Sequence, residues 1–194
     1  MILPVSRGSL AYKNTNPQAF FDCMAFFNPR RGLVLSDPVN GKFRILATRD
    51  GGDTWNAYST PLISSPSAGA FTVDFRDPFH GIVGGGDLDP ADPNNARTAI
   101  SSDGGQTWTL TNPPPVTGAI FGLSYVGRTG HAPGDNLGRA VVITANDGGA
   151  AWTPDEGNTW FTLPDVTGFW AVAFATPKAG WLVGTDGRIL KISF

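Results

Sequence analysis

Carboxylates dominate the reactive side chains of this 194-residue chain: 16 acids, all aspartate except Glu156. Beside them stand 2 histidines, His80 and His131, and 1 cysteine, Cys23. Asp22, Asp37, Asp87 and Asp147 sit where apolar runs begin or end. Aspartate there can accept hydrogen bonds from a sugar or a peptide or coordinate a cation, and it is also the ordinary residue for turning the chain. Phe21, Phe169 and Trp170 lie beside the same places and offer apolar anchors if exposed. Asp87, Asp89 and Asp92 provide hard oxygen ligands, but the spacing matches no EF-hand loop and no glutamate is near for bidentate ligation, so a solvated loop is expected. His131 sits in a Gly-rich tip with no nucleophile at a defined offset and reads as surface; Cys23, on the run 23–27, reads as a core thiol. With one cysteine and no Cys/His cluster, neither an internal disulfide nor a structural zinc site is expected. The triple glycine 84–86 precedes no helix start and no Lys-Ser/Thr pair, so it is no phosphate cradle. No dinucleotide fingerprint, haem attachment motif or metal constellation is present, and no cofactor or metal is expected.

The elements that must position these groups repeat about every fifty residues. Phe26-Asn28-Pro29-Gly32-Leu33-Val34-Leu35 is echoed at Phe75-Asp77-Pro78-Gly81-Ile82-Val83-Gly84 and again at Phe174-Thr176-Pro177-Gly180-Trp181-Leu182-Val183, with Tyr125 filling the vacant slot. Each reads as two short antiparallel strands around a tight turn. Phased against them are three octapeptides of the form S/T-x-D-x-G-x-T-W, carried by Asp50, Gly52 and Trp55, by Asp103, Gly105 and Trp108, and by Asp155, Gly157 and Trp160. In each, the aspartate accepts hydrogen bonds from the following backbone N–H groups, glycine supplies a positive φ, and tryptophan packs back over the turn. These nine residues are expected to lock hairpins and not to catalyse. Four strands per fifty residues is the pattern of an all-β propeller, with repeats at 18–60, 68–112, 118–164 and 168–194 forming one domain over 1–194. Residues 8–16 resemble an outermost strand and are expected to complete the last blade. The ring then closes with four blades, or half-rings pair with another copy.

At these octapeptides the chain resembles the Asp-box (BNR) repeats of sialidases, sortilin-type receptors and photosystem II assembly propellers. The stretch 14–55 is similar to bacterial propellers often labelled oxidoreductases, whose relatives run longer, so the chain looks like the C-terminal four blades of one. The resemblance implies that the octapeptides lie on the outer edge and that ligands meet the opposite rim. A sialidase would need an arginine cluster, a Tyr nucleophile paired with a Glu, and an Asp acid/base. Only Glu156 is available, inside an octapeptide and expected to point away from the channel, while Tyr12, Tyr58 and Tyr125 read as blade packing.

A formal charge of -2 and a pI near 5.5 leave no electrostatic footprint for nucleic acid. No apolar run is long enough for membrane insertion, and the N-terminal residues lack a secretion signal's apolar region. The longer relatives are expected to be extracytoplasmic. The expected function is a noncatalytic binding or scaffold module recognising a protein or glycan through its loop rim. The alternative is a sialidase-like glycoside hydrolase using paired aspartates.

Overall fold

Short apolar stretches bounded by Gly, Pro and Asp favour strands over helices. The computed structural model describes residues 10, 12–13, 20–39, 43–62, 65, 67–88, 96–127 and 136–194, and among these no α-helix forms. The first sheet holds β1 (Phe21–Asn28), β2 (Arg31–Ser36), β3 (Arg44–Thr48) and β4 (Asn56–Ser59). The second holds β5 (Ala68–Phe75), β6 (Gly81–Asp87), β7 (Arg97–Ser101) and β8 (Thr109–Leu110). The third holds β9 (Gly122–Tyr125), β10 (Val141–Thr144), β11 (Ala150–Thr153) and β12 (Phe161–Leu163). The last holds three described strands, β13 (Phe169–Thr176), β14 (Ala179–Gly184) and β15 (Ile189–Ile192). Every sheet is an antiparallel meander, so hairpins alternate between two rims. The expected completing strand, 8–16, lies outside the described residues except for Leu10, Tyr12 and Lys13. Tyr12 sits edge-on to Phe21 with ring centroids 6.3 Å apart.

Strands β1, β5, β9 and β13 line up side by side at the inner edge of successive sheets. Three cores fill the joints between these blades. Leu33, Leu35 and Ile45 of the first blade meet Val73, Phe75 and Trp108 of the second. Ile82 meets Leu123, Tyr125 and Ile143 across the next joint. Val126 and Val142 meet Val172, Phe174 and Leu182 across the third. Among the described residues no comparable packing joins β13 to β1, so the four described sheets form an arc.

Three of the four inner strands share a kink. The pairing of β1 with β2 skips one residue at Asp22, that of β5 with β6 skips Phe71, and that of β13 with β14 skips Trp170. A bulge leaves its extra residue outside the ladder and re-aims the side chain. In all three sheets the re-aimed residue stands at the rim away from the octapeptides.

Candidate functional site

The octapeptide turns form the first rim. Asp50 and Asp103 each accept the backbone N–H of the threonine four residues on, at 3.0 Å. Gly52 and Gly105 donate their N–H to Thr48 and Ser101 Oγ at 2.8 Å, and have φ of 100° and 87°. Trp55 and Trp108 return Nε1–H to the carbonyls of Gly52 and Gly105 at 3.0 Å. Hydrogen bonds from the Thr54 and Thr48 hydroxyls and the Thr54 amide hold Asp50 far below the usual carboxylate range. Burial alone would raise Asp103 and Asp155, but donors from Thr107 and Ser101, and from Thr159 and Thr153, outweigh it and lower both.

The third turn departs from the expected form. Trp160 donates not to its own turn but to the Asn112 carbonyl of the second blade, at 2.9 Å. The chain after β8 lies over this turn, with the Asn112 amide on the Gly157 carbonyl at 3.0 Å, and takes the indole as a cross-blade bond. Where the other turns have Gly51 and Gly104, this one has Glu156 at φ 59°, a left-handed conformation that costs a residue with a Cβ. Its carboxylate accepts Arg76 Nε and Tyr125 Oη at 2.8 Å on one oxygen and Arg139 Nε at 2.9 Å on the other. Burial would raise Glu156, but these donors outweigh it and hold it ionised.

This knot assembles a Tyr–Glu pair with two arginines, yet it is unsuited to nucleophilic chemistry. Tyr125 is fully buried (0% exposed), and burial followed by the Glu156 charge raises its phenol far above the ordinary value. A nucleophile needs access and a depressed pKa. The adjoining cleft of about 370 Å³, lined by Arg76, His80, Ser101, Thr107, Arg139 and Glu156, is balanced in charge, since Arg76 also pairs with Asp77 at 2.8 Å.

The opposite rim is different. Phe71, Phe121 and Trp170 run in a row across the inner strands, with centroids 5.4 Å apart for the first pair and 4.5 Å for the second. Trp170 is 44% exposed, and both phenylalanines are half-buried. Gly122 lets β9 approach this close: a Cβ there would lie 2.8 Å from the Ala171 Cα and 2.9 Å from the Trp170 carbonyl. At the equivalent bulge of the first blade stands Asp22, next to Asp37. Burial, then the like charge and hydrogen bond of Asp37, raises Asp22 to about 6. Two buried polar atoms at this rim, Thr144 Oγ1 and Asn146 Oδ1, find no hydrogen-bond partner among the described residues.

Of the residues singled out from sequence as ligand contacts, Asp22, Asp37, Asp87, Asp147, Phe169 and Trp170 stand at this rim but do not form one cluster. Asp22 and Asp37 meet, and Trp170 joins the aromatic row. Asp87 ends β6 and takes the hydroxyls of Ser65 and Ser67. Asp147 is exposed in the turn before β11. Phe169 is buried at 5% exposure under the Arg188 guanidinium, 5.0 Å from its ring, and presents no free face. Its backbone is instead the useful part, bridging to Asn146 between blades. Asp89, Asp92 and His131 lie outside the described residues. Cys23 is half-buried, and burial raises its thiol, as a packing cysteine requires. Phe71 and Phe121 were missed. The signal was present: both fall four residues before the repeat aromatics Phe75 and Tyr125, as Trp170 falls four before Phe174.

A solved structure, "YCF48 bound to D1 peptide", superposes with a TM-score of 0.61 at 22% identity over 91% of this chain and 50% of that one. This chain has a β-propeller fold. The GH74 enzyme of Niastella koreensis superposes with a TM-score of 0.57 at 16% identity, over 89% of this chain and 30% of that one. The propeller arc therefore spans about half the length of the first and under a third of the second. No family model and no curated protein matches the chain.

Proposed function

We propose that this chain is a noncatalytic Asp-box propeller module that binds a protein segment through the rim carrying Phe71, Phe121 and Trp170. The observation that carries the reading is the aromatic row, with Trp170 exposed and Phe71 and Phe121 half-buried, set by bulges at Phe71 and Trp170 and by the close approach at Gly122. Large rigid rings supply binding energy at little entropic cost, and acids beside them select for polar or cationic groups on the partner. A structural neighbour solved with a bound peptide supports a protein partner over a glycan.

Panning a random peptide library and a glycan array with the purified chain tests this. Peptides that bind wild type and lose affinity with Trp170→Ala support it. Glycan binding with no peptide selected, or cleavage of a sugar, overturns it.

A further inference from the structure

The strand that carries Trp170 is held at its start from both sides. The Asn146 N–H donates to the Phe169 carbonyl at 3.1 Å, and the Thr185 N–H donates to the Gly168 carbonyl at 2.8 Å. Asn146 belongs to the turn between β10 and β11 of the third blade, and Thr185 to the turn after β14 of the fourth. The next residue in each turn is an exposed aspartate, Asp147 in one and Asp186 in the other. The exposed indole of Trp170 therefore rises from a strand flanked by two carboxylates. Neither has an ion pair among the described residues. The base beside them, Arg188, is already engaged: its guanidinium lies over the Phe169 ring at 5.0 Å and donates to the Thr167 carbonyl and to Thr185 Oγ1, both at 3.1 Å.

The same sign recurs at the other end of the aromatic row. Asp22 occupies the repeat position of Phe71, Phe121 and Trp170, four residues before Phe26, and hydrogen-bonds Asp37. That pair, too, has no ion pair among the described residues. On the octapeptide rim the acids are matched instead, Glu156 by Arg76 and Arg139 and Asp77 by Arg76. The row is thus bounded by uncompensated carboxylates, which attract a cationic partner and repel an acidic one.

On the reading of the row as a peptide site, on which this step rests, we infer that the rim selects a basic residue: a lysine or arginine of the bound segment seats its cation on the Trp170 indole between Asp147 and Asp186, while apolar side chains of the same segment cover Phe121 and Phe71. Tryptophan is the best of the aromatic faces for a cation. The centroids from Trp170 through Phe121 to Phe71 run about 10 Å, which an extended segment covers in about three residues. Alternate side chains of such a segment face one side, so the basic residue is followed or preceded by its apolar companions at alternate positions.

Three pools of short capped peptides test this. Each pool carries random apolar residues two and four positions to either side of one fixed residue, which is arginine, glutamine or glutamate. Binding of each labelled pool to the full chain is read by fluorescence anisotropy. The arginine pool is expected to bind at least about fivefold more tightly than the glutamine pool, with glutamate weakest, and the gap to narrow as salt rises. The double variant Asp147→Asn with Asp186→Asn is expected to bring the arginine pool to the level of the glutamine pool without moving the latter. Its circular dichroism spectrum stays unchanged, since both side chains are exposed. Asp53→Asn, exposed on the octapeptide rim, leaves every pool as in wild type. Arginine and glutamine pools that bind equally, and both lose affinity with Trp170→Ala, overturn the selection of a basic residue and keep the peptide site. An arginine preference that survives the double variant overturns it as well. Binding by none of the pools overturns the selection and the peptide site together.

Discussion

The two rims of this arc are built on opposite rules. On the octapeptide rim nearly every polar group has a donor or acceptor: threonine and serine hydroxyls bind the aspartates, and Glu156 binds three donors from two blades. On the other rim a bulge pushes Asp22, Phe71 and Trp170 out of the ladder, two buried oxygens lack partners among the described residues, and Asp22 is raised toward neutrality. A saturated rim leaves little for a ligand to gain, whereas a rim with unspent rings and strained carboxyls does. Stability and recognition are thus segregated to the two ends of the same strands.

Breaking the saturated rim should cost stability in proportion to burial. Glu156→Ala leaves Tyr125 Oη without its acceptor and Arg76 half-paired, and is expected to destabilise by about 2 to 4 kcal/mol in urea unfolding. Tyr125→Phe should cost less, about 1 to 2 kcal/mol, and the two losses should not add, because they share a bond. Asp103→Ala removes three hydrogen-bond partners at a more exposed turn and is expected to cost about 1 to 2 kcal/mol near neutral pH. Asp103 is lowered in the folded chain, so its contribution is present above the unfolded carboxylate pKa and is lost as pH falls through the folded value. The gap to Asp103→Ala should therefore close in strong acid.

The opposite rim should show the reverse sign. Asp22 sits at about 6, above its unfolded value of 3.8, so its charged form is disfavoured in the folded chain. The wild type then loses stability as pH rises from about 4 through 6. Asp22→Asn should raise the melting temperature above pH 7 by an amount worth under about 1 kcal/mol, since the site is partly exposed, and the gain should vanish near pH 4. A variant that destabilises at pH 7 would erase the contrast between the rims.

Much of this organisation is legible in the sequence. The octapeptides mark their own turns because Asp, Gly and Thr act locally on the backbone, within eight residues. The apolar alternation around Phe26, Phe75, Tyr125 and Phe174 marks the strands by the same local logic. What lies between blades is less visible. Glu156 looks like a variant turn residue until Arg76, eighty positions away, meets it. Trp160 looks like a cap for its own turn until Asn112 takes the indole. The bulges hide as well, because a one-residue slip changes no residue type, so nothing in the residue types sets Phe71 apart. Phe169 and Trp170 are neighbours in sequence with opposite fates, one buried in the ladder and one exposed as the extra residue of the bulge.

The most direct test sets the rims against each other on one ligand. A peptide selected on the wild-type chain is titrated by fluorescence anisotropy against Trp170→Ala, Phe121→Ala and Arg139→Ala. Trp170→Ala and Phe121→Ala are expected to weaken binding at least about tenfold, or about 1.4 kcal/mol, with Arg139→Ala within about twofold of wild type. Affinity lost with Arg139→Ala and kept without Trp170 would place recognition on the octapeptide rim and contradict the division of labour between the two.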